Sequence, residues 1–435
     1  MRVSSCILFM AGIVFAQPEC RSVLGAHLTP VDHDSMFSWA GELVEVPAYM
    51  EDRLATNSML FLGADFTSPS KKHNVYVEGG VKVSLISSSS AEPVELNKKG
   101  QVKGATQILF GAREAFYQFS GSKNSIRLGL STTQIGDYFL VNERVIGASY
   151  VQTLGSVKID VTAGTVGPPA RMTDFCGTKR LTSLVNKEKY GSAVSDVMGE
   201  TNLAAAVVRW DIKQLFAIKP VSMGDEFQAS DEFSPIETKP NLAINHVGLL
   251  YYQEYDTRDT TQNSFFGGLM QTDLPFSMTL KNEGVYQMAQ GNAAIIHYGT
   301  LTKDFYWNNA SNTSMQVGYY GKYDIDKNAA FLASFSNLFK GEIMRLDAID
   351  VPIVFSSVRH NFAGTRKFYA QLQGVRQLYA EQINEADLEL GADFFKHLRV
   401  VGIGSYITSF AVPEGGTAPT EKEDYVGKLE LRLGF

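Results

Sequence analysis

Glu385, Asp387 and Glu389 stand at alternate positions in one short stretch, and Asp393 continues the series. Lys428, Glu430 and Arg432 repeat the spacing near the C-terminus with mixed sign. A period of two places each set on one face of an extended strand. Such a row is not arranged for acid–base work, which needs a proton acceptor held against a second reacting group. It is suited to lining a wet surface, where patches of one sign bias the passage of ions. The same phase, charged residues facing apolar neighbours, holds for Glu78, Lys82, Arg127, Lys158, Asp160, Arg209, Asp211 and Lys322. The signs nearly balance, so no ion preference follows. Two readings stay open for the whole set: pore lining, or a salt-bridged network that fixes strand register.

No catalytic chemistry emerges. The seven histidines, His27, His33, His73, His246, His297, His360 and His397, fall in no Ser/His or metal-binding arrangement. There is no Gly-x-Ser-x-Gly elbow, His-Glu-x-x-His helix, phosphate-binding glycine loop or zinc spacing. The sequence therefore predicts no catalytic residue, metal or cofactor. Asp225, Glu226, Asp231, Glu232 and Glu237 form an acidic stretch that could hold divalent ions near lipopolysaccharide. It lacks the ligand spacing and glycine turn of a calcium loop, and solvation is the simpler reading. A net charge of −7 and a pI near 5.6 exclude a basic nucleic-acid binder.

The elements that carry these residues read as strands. Val75–Leu85, Val157–Ala163, Ala206–Ile212, Met315–Tyr323, Phe368–Leu378, Ala386–Phe394 and Tyr425–Phe435 all alternate apolar with polar. Turn signals separate them, as at residues 120–124, 324–328 and 395–397, and longer polar connections fall near 88–103, 166–201, 219–240, 337–349 and 411–423. The body of the chain has no apolar run of about 18 residues, so it has no ordinary membrane helix. Alternation hides a lipid-facing surface from any average, and the mean hydropathy of −0.08 leaves a transmembrane barrel open. A secreted β-sandwich or propeller also alternates, but it needs a core between two sheets. Aromatic clusters at Tyr251, Tyr252 and Tyr255, at Tyr298, Tyr306 and Trp307, and at Tyr319, Tyr320 and Tyr323 fit the interfacial girdles of a barrel. The expected fold is all-β: a single transmembrane antiparallel β-barrel of about 18 strands, within roughly 16 to 20. Both termini would lie on one side, with short turns there and long loops opposite.

At the N-terminus, Arg2 and the apolar stretch Cys6–Ala16 read as an export signal, cleaved after Ala16. Residues 17–35 would form a periplasmic lead-in and 36–435 the barrel. The mature chain keeps Cys20 and Cys176, which could pair in an oxidising compartment. Cys176 lies in the connection 166–201, too long for a hairpin. That segment is either an inward constriction or plug, or an external loop.

The terminal Lys428–Phe435 resembles the C-terminal insertion signal of bacterial outer-membrane β-barrel proteins, with Leu431, Leu433 and Phe435 as its alternating apolar positions. A second stretch, Arg113–Ser131 followed by Asp137 and Arg144–Gly147, is similar to a strand pair of porin-like and alginate-export-type channels. The resemblance implies an outer-membrane location among lipid and lipopolysaccharide, with insertion by the barrel-assembly machinery through the last strand. The function it implies is passive or weakly selective diffusion of small hydrophilic solutes, without enzymatic activity. The alternative is a non-conducting structural or surface-exposed barrel blocked by residues 166–201. A secreted β-rich enzyme is the third reading.

Overall fold

The computed structural model describes residues 36–50, 53–87, 106–135, 140–166, 201–212, 243–257, 260, 262–274, 276, 278–289, 292–308, 311–325, 352–364, 367–378, 383–394, 397–411 and 420–435. The export signal, the 17–35 lead-in, Cys20, Cys176 and the acidic stretch 225–237 lie outside them.

Eighteen strands form one antiparallel sheet that closes on itself. They are β1 (Phe37–Met50), β2 (Arg53–Thr67), β3 (His73–Ser87), β4 (Thr106–Ser120), β5 (Asn124–Ile135) and β6 (Val141–Leu154). β7 (Val157–Val166), β8 (Thr201–Asp211), β9 (Ala243–Asp256), β10 (Gln262–Leu274), β11 (Met278–Ala289) and β12 (Asn292–Asn308) follow. β13 (Ser311–Asp324), β14 (Ile353–Asn361), β15 (Tyr369–Gln377), β16 (Ile383–Asp393), β17 (Leu398–Ala411) and β18 (Thr420–Gly434) complete the wall. Each strand pairs with its sequence neighbours, and β1 pairs with β18, with Leu43 opposite Leu433 and Glu45 opposite Leu431. Closure leaves no free end strand, which a sheet in lipid requires. Gly41 and Phe435 exchange both backbone hydrogen bonds at this seam (2.8 and 3.0 Å). A Cβ on Gly41 would overlap the Phe435 ring, so a larger residue there would push the terminal aromatic aside.

The outer face carries the apolar half of each alternation: Val75, Val77 and Val81 on β3, Met315 and Val317 on β13, and Leu429 and Leu433 on β18 are all exposed. On β18 the outward Tyr425 and Phe435 are ten positions apart, about 33 Å along an extended strand. A tilt of about 40° lowers this to roughly 25 Å, the height of an apolar membrane band. Near the end that holds the termini the exposed aromatics include Phe37, Trp39, Phe66, Phe276, Tyr306, Trp307, Phe394 and Phe435; near the other they include Tyr255, Tyr286, Tyr323 and Tyr425. The aromatic clusters expected as girdles divide by phase. Tyr251, Tyr255, Trp307, Tyr319 and Tyr323 face outward, but Tyr252, Tyr298 and Tyr320 are buried inside, because adjacent residues on a strand point oppositely; Tyr306, in phase with Tyr298, is exposed at the strand's end.

Connections on the side of the termini are short, as at 121–123, 155–156 and 309–310, with one exception. The connection 212–242 leaves β8 and enters β9 on that side. The turn expected at 324–328 is instead the start of a connection running from 325 to 352.

Candidate functional site

Strand alternation sends one residue in two into the barrel, and every charge picked out by spacing falls on that inner phase. Glu78, Lys82, Glu385, Asp387, Lys428, Glu430 and Arg432 are buried. Arg127, Asp160, Arg209, Asp211, Lys322, Glu389 and Asp393 are partly exposed and Lys158 is exposed. On the opposite phase of the last strand, Leu433 and Phe435 are exposed and Leu431 partly so.

The buried charges are not spread evenly. Of the fourteen buried charged side chains among the described residues, ten lie on β16, β18, β1, β3 and β4, an arc that is continuous through the β18–β1 seam. These are Glu385, Asp387, Lys428, Glu430, Arg432, Glu42, Glu78, Lys82, Arg113 and Glu114. They neutralise one another locally. Arg113 meets Glu78 at 2.7 Å and stacks its guanidinium over the Phe61 ring at 4.0 Å. Arg432 bridges Glu430 and Glu42, the latter at 3.4 Å. A bulge produces the densest point: Glu78 pairs with Glu114 while Gly79 pairs with Ala112, so the extra residue Arg113 turns to the same face as Glu114. Nearer the end that holds the termini, Tyr369 is sandwiched between Arg359 (3.7 Å) and Arg399 (5.6 Å) and donates to Glu389 at 2.5 Å.

On β8 to β15 the inner wall carries an apolar cluster set among polar residues such as Gln287, Gln316 and Ser357. Leu203, Ala205, Val207, Leu250, Tyr252, Phe265, Leu269, Val285, Ile296, Tyr298, Tyr320, Ile353, Phe355 and Val375 are buried in one cluster. Its two buried charges are Glu254 and Glu283, and Glu254 accepts the Tyr252 hydroxyl at 2.5 Å. Apolar side chains facing a lumen need a cover, since exposed apolar area costs about 25 cal/mol per Å². Part of the cover belongs to the same cluster: Ile135, Leu140, Val141 and Val145.

These four residues sit at the far ends of β5 and β6, which leave the wall. The β4–β5 ladder runs from Ser120 opposite Ser125 to Ala115 opposite Leu130 and stops, although both strands continue. The β6–β7 ladder stops at Ile146 opposite Thr165, although β6 extends to Val141. Beyond these points Ser131–Ile135 and Val141–Val145 pair only with each other. A line of glycines marks the crease: Gly129 pairs with Gly147, and Gly147 with Gly164. Gly129 has a φ of +121°, which a side chain would strain, and a Cβ on it would strike the Ala115 carbonyl of β4. The sequence makes the turn inward advantageous. Had the strands stayed in the wall, Thr132 and Gln134 on β5 and Arg144 on β6 would occupy lipid-facing positions. An arginine there costs about 2–4 kcal/mol near the bilayer midplane.

The hairpin thus has two faces. Its front, with Ser131, Thr133, Ile135, Val141 and Val145, is buried and joins the apolar cluster. Glu143, the charge on this face, accepts the backbone N–H of Arg144 at 2.8 Å. Its rear addresses β3 and β4. The Thr132 hydroxyl donates to Glu114 at 2.6 Å, and Arg144 lies within electrostatic reach of Arg113, Glu114 and Glu78. Two strands folded into a barrel narrow its cross-section, and charges of both signs on the facing wall can discriminate among solutes that pass.

Spacing alone missed Glu42, Arg113, Glu114, Glu143, Arg144, Arg359 and Arg399. The doublets Arg113-Glu114 and Glu143-Arg144 break the period of two, and that break is the available signal. Residues 167–200, expected to be constriction, plug or external loop, lie outside the described residues. Among the described residues, the segment that turns into the barrel is the β5–β6 hairpin.

No family model matches the chain, and no curated protein matches it. Among solved structures it is similar to OccAB2 of Acinetobacter baumannii, with a TM-score of 0.51 and 9% identity over 92% of this chain and 98% of that one. It is also similar to OccAB1 of Acinetobacter baumannii, with a TM-score of 0.50 and 8% identity over 92% of this chain and 96% of that one. At such identity the likeness is one of fold, and the fold is the 18-stranded outer-membrane β-barrel.

Proposed function

We propose that this chain is an outer-membrane channel through which small hydrophilic solutes diffuse, narrowed by the inturned β5–β6 hairpin. The observation that carries this reading is the opposition of the two faces: an apolar outer belt between aromatic girdles, and charged side chains of both signs inside. A barrel in lipid needs the first, and a wet passage needs the second. Residues 1–16 would direct export and be removed. Leu431, Leu433 and Phe435 would present the last strand to the assembly machinery, and lipid with lipopolysaccharide would surround the wall. The pore-lining set comprises the fifteen charges picked out by spacing, extended by Glu42, Arg113, Glu114 and Arg144.

A second reading, a barrel that does not conduct, draws on one observation. Glu78, Lys82, Arg113 and Arg144 are all at most 2% exposed, so the inner belt at their level is tightly filled. Planar-bilayer recording separates the two. The channel reading expects discrete conductance steps from protein that fractionates with outer membranes and runs faster on gels unheated than boiled. Silent bilayers from protein that passes both of those checks would favour the closed barrel.

A further inference from the structure

We propose that, at the level of the β5–β6 hairpin, the water-filled path follows only the charged side of the interior, along β16–β18 and β1–β4 and past the hairpin's rear. Arg209 and Asp211, nearer the termini, and Lys322, toward the other end, lie beyond that level. The space between the hairpin's front and β8–β15 is then a dry core that solutes do not enter. This rests on the channel reading and adds to it a route and a solute class: small ions and zwitterions that can exchange contacts with paired charges.

Two observations point the same way. The hairpin's two faces differ in what they meet, apolar cluster in front and Glu78, Arg113 and Glu114 behind. On β5 exposure follows the same division: Gln134 on the rear is exposed and Thr132 partly so, whereas Ser131, Thr133 and Ile135 in front are buried. On β6 the rear Arg144 is as buried as the front Val141 and Val145, because it is packed among the charges of β3 and β4. Apolar constrictions exclude water and the ions it carries, while charged walls retain it.

A matched pair of inner-wall residues tests this. Ser405 on the charged side and Ala205 on the apolar side are 4% and 5% exposed, and each differs from cysteine by little volume. Ser405→Cys and Ala205→Cys, each in a chain with no other cysteine, are reconstituted in liposomes and treated with a small charged methanethiosulfonate. Modification is followed by mass. Ser405→Cys should react at least about tenfold faster, because only its side of the lumen holds water. Thr132→Cys and Val145→Cys, on opposite faces of the same hairpin, should differ in the same direction and serve if either first variant fails to fold. Equal rates, or a faster reaction on the apolar side, would overturn the proposal while leaving any recorded channel activity intact. In bilayers that conduct, modification at Ser405→Cys should step the current and modification at Ala205→Cys should not. A labelling contrast with silent bilayers would count against the channel reading and still support the division into wet and dry sides.

Discussion

On β16 the inner positions are Glu385, Asp387 and Glu389; on β12, four strands round the wall, they are Ala294, Ile296 and Tyr298. Both strands obey the same alternation, and both present apolar residues outward, Ala386, Leu388 and Leu390 on one and Ile295 and Leu301 on the other. The lipid face is therefore blind to what the strand encloses. What separates the two regions is the neighbour inside the barrel. The apolar wall is covered by Ile135, Leu140, Val141 and Val145 of the inturned hairpin, and the charged wall satisfies itself with pairs such as Glu78–Arg113 and Glu42–Arg432. A barrel interior can thus be part core and part passage.

The contrast is broken most strongly by exchanging the chemistry of the two walls. Val285→Lys places an uncompensated charge in the apolar cluster and should cost about 4 kcal/mol. Ser405→Lys, opposite Asp387, should cost less than about half as much. Urea-dependent unfolding from liposomes reads both, and equal losses would mean that the walls do not differ as described. Next in size is the ion pair that anchors the charged side. Arg113→Met leaves Glu78 buried without its cation and should cost about 3 kcal/mol. Adding Glu78→Gln should recover most of that loss, and a double variant no better than the single would show that the pair is not the source.

The boundary between the walls depends on the crease. Gly129→Val forces a side chain into a positive φ against β4 and should cost about 2 kcal/mol. It should also displace the hairpin, so single-channel conductance should change along with stability. The smallest effect sharpens the comparison without disturbing the fold. Glu385→Gln, Asp387→Asn and Glu389→Gln together should lower the cation-to-anion permeability ratio by about twofold, since carboxylates on one wall concentrate cations. An unchanged reversal potential would place the permeating ions elsewhere.

Much of the wall was legible in sequence. Lys428–Phe435, Val157–Ala163 and Ala386–Phe394 each repeat the period of two without error, which fixes both the strand and its inner phase. The expectation of about 18 strands holds for the same reason: each turn or polar connection ends one run and begins another. What the pattern hid was the use of the inner face. Arg113 entered the lumen through a bulge, and Arg144 through a hairpin that leaves the wall; both sit out of phase with the alternation that revealed Glu78 and Lys82. The apolar inner wall was equally hidden, because Tyr252, Tyr298 and Tyr320 beside outward tyrosines look like interfacial aromatics until pairing assigns each to a face. Whether an inward residue meets water or another strand is decided by contacts far apart in the chain.

The most direct test of the account is the conductance of a chain that lacks the inturned segment. Leu130 and Ile146 face each other across the crease, so Ser131–Val145 can be replaced by an Asn-Gly turn that closes the hairpin at the wall. If this hairpin sets the narrowest section, the shortened protein should still show heat-modifiable mobility, and its single-channel conductance should exceed that of the full chain severalfold. An equal or lower conductance from a properly folded shortened barrel would contradict the assignment of the β5–β6 hairpin as the constriction.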